Sequence, residues 1–248
     1  MYDTDVFVCG WGPAGLAAAI AARQRGLEVI VADCLKPPID KACGEGMMPD
    51  SLAALAKLGV TLDGIECGIF RGIRFTENSK SAEAAFPHGV GLGVRRILLH
   101  NLLHQRAESL GVIFRWGTQV LSANNGIVQA GHKQIRARWV IGADGINSRI
   151  RRWAGLEAGK RLSRRIGMRQ HYKVAPWTDF VEVYWAPMGQ AYVTPVSDHE
   201  VCVVTMTKNP AGSVSALLAS FPELAARLRG VEPGKGERGA LILGHVYD

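Results

Sequence analysis

The residues with the clearest chemical capacity lie within the first thirty-three positions. Gly10-Trp11-Gly12-Pro13-Ala14-Gly15 follows an apolar run, Asp5 to Cys9, and precedes an alanine- and leucine-rich stretch, Pro13 to Arg25. Gly26 stops that stretch, and Leu27 to Ala32 is a second apolar run closed by Asp33. This order predicts strand, helix and strand, a βαβ unit with its glycine loop at the first turn. Each glycine has its own duty there: Gly10 a tight turn, Gly12 close approach of backbone to a diphosphate, Gly15 close packing of helix on strand. The helix N-terminus beginning at Pro13-Ala14 turns free N–H groups and a partial positive charge on the phosphates. Asp33 can accept hydrogen bonds from ribose hydroxyls, which disfavours an adenosine 2′-phosphate. The chemistry expected is the binding of an ADP-containing dinucleotide.

Further along, Gly142-Ala143-Asp144-Gly145 ends a predicted strand, Gln134 to Ile141, and Asn147, Ser148 and Arg149 follow. Arg96, with Arg95 as the competing assignment, opens a helix predicted over Arg95 to Leu110. Leu98, Leu99, Leu102, Leu103, Ala107 and Leu110 form its apolar stripe. Taken with the glycine loop, these positions resemble the para-hydroxybenzoate-hydroxylase-like flavoproteins, the group A flavin monooxygenases and their relatives. The resemblance implies FAD. It implies that Asp144 and Gly145 lie at the ribityl side, that Arg96 reaches the ribityl or phosphate region, and that the backbone of Val120 meets the adenine. Lys41-Ala42-Cys43-Gly44-Glu45-Gly46 resembles a loop of the geranylgeranyl reductase branch, where it lies near the isoalloxazine ring. Lys41 and Gly44 are therefore cofactor candidates. Cys43 is a catalytic candidate as a redox-active or substrate-adjacent thiol.

The elements that must position these residues follow from patterning. Pro49 to Leu58 reads as a helix ended by Gly59. Ile69 to Phe75 and Ala82 to Phe86 read as strands of a small inserted sheet at about 65–90. Val112 to Trp116, Gln119 to Ser122 and Ile127 to Ala130 read as further strands. Arg165 to Val174, Phe180 to Trp185, Gln190 to Pro195 and Val201 to Thr207 read as an antiparallel meander. Ser213 to Arg227 reads as a helix, with Pro222 marking a kink or a break. The fold class expected is α/β: a Rossmann-type FAD-binding βαβ domain over 1–155, and a substrate domain built on an antiparallel β-sheet over 156–248. In the resembling family such a sheet roofs the flavin on its substrate side. Arg169, His171, Tyr184 and Tyr192 are the candidate substrate-facing groups.

Composition narrows the class further. The chain has 248 residues, 48% of them hydrophobic and 21% charged, which suits a globular protein rather than a disordered or fibrous one. No apolar run reaches the roughly 18 residues of a membrane span. Five cysteines show no C-x-x-C and no zinc spacing, so reduced thiols, no metal and a cytoplasmic location are expected. The net charge of +7 concentrates between Arg149 and Lys173. It lacks the aromatic interleaving of a nucleic-acid site, so a small-molecule substrate is the expected partner. The oligomeric state is not legible.

The resemblance implies an oxidoreductase whose flavin is reduced by NAD(P)H. The leading expectation is a monooxygenase-like enzyme acting on a small apolar organic substrate. One alternative is a geranylgeranyl reductase-like enzyme that saturates a double bond. The family's C-terminal strand, Gly-Asp and helix segment is not matched by Ala240 to Asp248. A third reading is therefore a C-terminally truncated, catalytically silent flavin-fold fragment. No second G-x-G-x-x-G is present, so a separate NAD(P)H domain is not expected.

Overall fold

The computed structural model describes residues 1–156, 161–208, 213–234 and 236–245, with backbone alone for 161–164 and 241–245. The chain opens as expected. Strand β1 (Thr4–Cys9), helix α1 (Pro13–Arg23) and strand β2 (Val29–Ala32) form the βαβ unit. A loop then leads to β3 (Gly46–Met47) and α2 (Pro49–Lys57). Four short strands follow: β4 (Gly68–Phe70), β5 (Gly72–Glu77), β6 (Lys80–Ala85) and β7 (Gly91–Gly93). Helix α3 (Arg96–Ser109) precedes β8 (Ile113–Arg115), β9 (Val120–Asn124), β10 (Ile127–Ala130) and β11 (Lys133–Gly142). Helix α4 (Arg149–Trp153) leads into β12 (Arg161–Tyr172), β13 (Val181–Ala186), β14 (Gly189–Ser197) and β15 (Glu200–Thr207). Helices α5 (Val214–Leu218) and α6 (Pro222–Arg227) precede β16 (Arg238–His245). The helix expected over Ser213 to Arg227 is thus two, broken where Pro222 takes the first helical position of α6.

Three sheets result among the described residues. The first runs β8-β2-β1-β11-β10-β9, parallel from β8 to β11 and antiparallel beyond. Its core strands are continuous apolar runs because both faces are covered. One face packs Val6, Val8, Val29 and Val31 against Leu16, Ile20 and Leu103 of α1 and α3. The other packs Phe7, Ile30 and Ala32 against Val120, Val128 and Ile150.

The second sheet corrects two expectations. Its order is β16-β12-β15-β14-β13-β5-β6. The meander is β13-β14-β15, and β12 pairs with β15 rather than with its sequence neighbour β13. The inserted sheet expected at about 65–90 divides in two. Its hairpin β5-β6 joins the second sheet through a parallel pairing of β5 with β13. The rest forms a three-stranded sheet, β3-β7-β4. That small sheet lies on β14 through its glycines. A Cβ on Gly68 would sit 2.4 Å from the Pro195 carbonyl, and one on Gly93 would sit 1.7 Å from it. Helices α5 and α6 cover the opposite face of the second sheet with Leu217, Leu218, Phe221 and Leu224.

Candidate functional site

A cavity of about 430 Å³ opens at the C-terminal ends of β1 and β2, where an open parallel sheet characteristically holds its ligand. Gly10, Gly12, Pro13, Ala14, Asp33, Lys41, Arg96, Val120, Asp144 and Gly145 all line it, so ten of the twelve cofactor candidates meet in one place. The other two do not. Gly15 faces the loop behind the cavity, and Gly44 lies outside the cavity wall.

The three glycines of the loop separate by geometry. Gly10 has φ of 102°, and a Cβ there would meet the Ala143 carbonyl at 2.3 Å. A Cβ on Gly15 would meet the Gly10 carbonyl at 2.0 Å. A Cβ on Gly12 would meet nothing within 4 Å. Gly10 and Gly15 therefore serve the crossing of β1, α1 and β11, while Gly12 leaves open space beside the cavity. Trp11 turns the other way and is buried, with its ring stacked on Phe114 and Trp116. Its carbonyl oxygen meets His100 Nε2 at 3.1 Å.

Both acids of the cavity wall are held by backbone amides. Asp33 accepts from the amides of Trp11 at 2.9 Å and Leu35 at 2.8 Å, fixing the glycine loop against the end of β2. Asp144 accepts from the Ser148 hydroxyl at 2.5 Å and from the amides of Arg149 and Ile150 at 2.7 and 3.2 Å. It thereby caps the start of α4, which the sequence did not predict as a helix. Each carboxylate keeps lone pairs for a ligand. Lys41, Arg96 and Arg149 add positive charge to the wall. The Arg96 Nε is buried and has no hydrogen-bond partner among the described residues. Cys9 also lines the wall. Burial, reinforced by Asp144 and Asp33, pushes its thiol up to about 12, so it stays neutral.

Beside the cavity lies a buried ionic cluster that sequence reasoning missed. Glu45, 4% exposed, sits in the left-handed region at φ 60°. Its carboxylate receives His171 Nε2 at 2.6 Å, the Arg96 amide at 3.0 Å and Arg169 Nη1 at 3.1 Å. Arg169 Nη2 donates to Asp40 at 2.8 Å. The Cys202 thiol, raised well above its ordinary value by burial, donates to the Cys43 carbonyl at 3.7 Å. Cys43 itself is half-buried, and its sulfur accepts the Glu45 amide at 3.4 Å. The one advance signal was the pair Arg169 and His171, two apart on a strand and hence on one face. Their partners lie more than 120 positions earlier in the chain.

The four substrate candidates do not converge. Arg169 and His171 are buried in the cluster just described rather than lining the cavity. Tyr192 is half-buried on the same sheet face, packed with Val196, Cys202 and Val204. Tyr184 points to the opposite face, against the helices. There its hydroxyl donates at 2.8 Å to Glu182, a buried carboxylate that also receives Trp177 Nε1 and Arg74. Alternation along β13 and β14 puts Tyr184 and Tyr192 on opposite faces of the sheet.

The profile of the FAD binding domain family matches residues 3–215. The chain belongs to this family. Among curated relatives, a menaquinone reductase of Mycobacterium tuberculosis is 30% identical over 184 residues, which is 70% of this chain and 43% of the relative. A pentachlorophenol 4-monooxygenase of Sphingobium chlorophenolicum is 30% identical over 62% of this chain and 32% of its own length. A digeranylgeranylglycerophospholipid reductase of Methanosarcina acetivorans is 30% identical over 62% of this chain and 40% of its own length. The chain thus spans less than half of these relatives. Among solved structures, the flavin-dependent halogenase CmlS superposes with a TM-score of 0.83 at 18% identity, covering 98% of this chain and 50% of that one. A geranylgeranyl bacteriochlorophyll reductase-like protein of Thermoplasma acidophilum gives 0.77 at 21% identity, covering 97% and 66%. These likenesses show the FAD-binding flavoprotein fold. Among the described residues no helix is long and apolar enough to cross a membrane.

The cavity wall fits the family's cofactor on two observations: the open space beside Gly12 and the unpartnered Nε of Arg96.

Proposed function

We propose that this chain is the FAD-holding part of an oxidoreductase of monooxygenase type, in which NAD(P)H reduces the flavin and the substrate is a small apolar organic molecule. The observation that carries the reading is the convergence of the glycine loop, Asp33, Arg96, Val120 and Asp144-Gly145 on one cavity. The amides at the start of α1 would take the diphosphate, with Gly12 giving it room. Asp33 would hold the adenosine ribose and Val120 would border the adenine. Arg96 would supply a donor to the ribityl or phosphate region, with Asp144 and Gly145 beside it. Lys41 and the Cys43-to-Gly46 loop would border the ring. When bound, FAD supplies the redox chemistry, and the protein holds, orients and shields it. The five cysteines, free in the structure, suit a reducing cytoplasm.

A second reading, reduction of a prenyl-type double bond, draws on a separate observation. The Cys43-Gly44-Glu45-Gly46 loop is locked beside the cavity by the buried Glu45. Relatives named menaquinone reductase and digeranylgeranylglycerophospholipid reductase align with this chain. One series of measurements separates the readings. The purified chain should take up FAD and show flavin absorption that is released on denaturation. A chain that stays colourless in excess FAD overturns both readings and leaves a silent flavin-fold fragment. NAD(P)H oxidation that requires O2 and places one of its oxygen atoms in an organic substrate supports the monooxygenase. Anaerobic oxidation coupled to an alkene acceptor supports the reductase.

A further inference from the structure

We propose that Arg169 is a positioning residue for the cavity: its guanidinium staples both ends of the Asp40–Glu45 arch, and so sets where Lys41 and Cys43 stand. The inference rests on the reading that this cavity takes FAD.

The arch connects β2 to β3 and contains no helix or strand between Asp40 and Glu45. Arg169 reaches it from β12 with a side chain only 3% exposed. One arm of the guanidinium holds Asp40 and the other holds Glu45, at 2.8 and 3.1 Å. A planar fork with separate donors can grip two carboxylates five positions apart, which the single nitrogen of a lysine cannot do as well. Between the two grips, Lys41 lines the cavity and the Cys43 carbonyl meets Cys202. Glu45 also holds the amide of Arg96, a second cavity residue, on α3. One cation on the roof sheet is thereby connected to cavity groups on two other elements. A buried ion group is weak evidence of net stability; here its two grips fix Asp40 and Glu45 relative to β12. That is what a loop without hydrogen-bonded secondary structure requires.

The test uses the full chain with two conservative variants, R169K and D40N. Asp40 is 23% exposed and also meets Arg238 Nε at 3.3 Å, so D40N loosens one end of the arch from both cations without emptying the core. FAD affinity is read by titration, the flavin environment by its visible band, and the arch by amide hydrogen exchange. Both variants should weaken FAD binding by about tenfold or more, the value of one charged hydrogen bond. Both should shift the flavin band and speed exchange at 40–46, while exchange in β1 and α1 stays unchanged. A purely structural Arg169 would lower stability without moving the flavin band. Wild-type affinity, band and exchange in both variants overturn the inference while leaving the FAD reading intact. A wild-type chain that takes up no FAD overturns both.

Discussion

Gly12 and Gly15 stand three residues apart and should answer an added side chain in opposite ways. At Gly12 there is open space, so Gly12→Val should fold normally yet lose FAD occupancy by obstructing the diphosphate. At Gly15 the new methyl would collide with the Gly10 carbonyl, so Gly15→Ala should lower thermal stability by about 1–3 kcal/mol or more. FAD titration beside thermal unfolding of the two variants checks this, and equal losses of stability would refute the division of roles. Glu45 gives the same scale a pH dependence. Burial pushes its carboxyl up, but the His171 hydrogen bond and charge, the Arg96 amide and Arg169 together hold it below the ordinary 4.5. A depressed folded value means that this stabilisation is complete above about pH 4.5 and is lost as the pH falls through the folded value. Denaturant unfolding between pH 7 and pH 3 should therefore show an acid slope that is shallower in Glu45→Gln. His100 and His104, both lowered by burial, add to the loss of stability in acid.

At the scale of elements, the two faces of the second sheet have separate duties. Tyr184 lies on the helix-covered face, so Tyr184→Phe should cost about 1 kcal/mol, one hydrogen bond, and leave FAD affinity unchanged. Leu224 of α6 is fully buried on that face, and Leu224→Ala should cost about 2–5 kcal/mol by thermal or chemical unfolding. The first βαβ unit was legible because its signals are local: an apolar run, three glycines, a helical stretch and a terminal acid within thirty residues. The break at Pro222 was legible for the same reason. The pairing of β12 with β15, and of β5 with β13, was not, because strand partners are chosen by the packing of the whole sheet. Glu45 stood in plain view between two glycines. Its meaning depended on Arg169 and His171, which only the folded chain brings within 3.1 and 2.6 Å of it.

At the scale of the molecule, cofactor binding and stability should be linked. FAD at a hundredfold excess over its Kd should stabilise the chain by about 2.7 kcal/mol. For a protein of this size that raises Tm by roughly 5–11 °C. A melting temperature indifferent to added FAD would contradict the cavity assignment at this scale.

The hairpin β5-β6 carries one more consequence. It is drawn from the first third of the chain, yet it edges a sheet whose other five strands all begin after residue 160. The first and second sheets are therefore sewn together rather than strung in series. A fragment cut near residue 155 should display an orphan ribbon and aggregate. During synthesis on the ribosome, that ribbon must wait for about a hundred residues of chain, from Gly72 to Val181, before β13 offers it a neighbour. Swapping the second sheet with that of a relative would succeed only if this early hairpin travels with it.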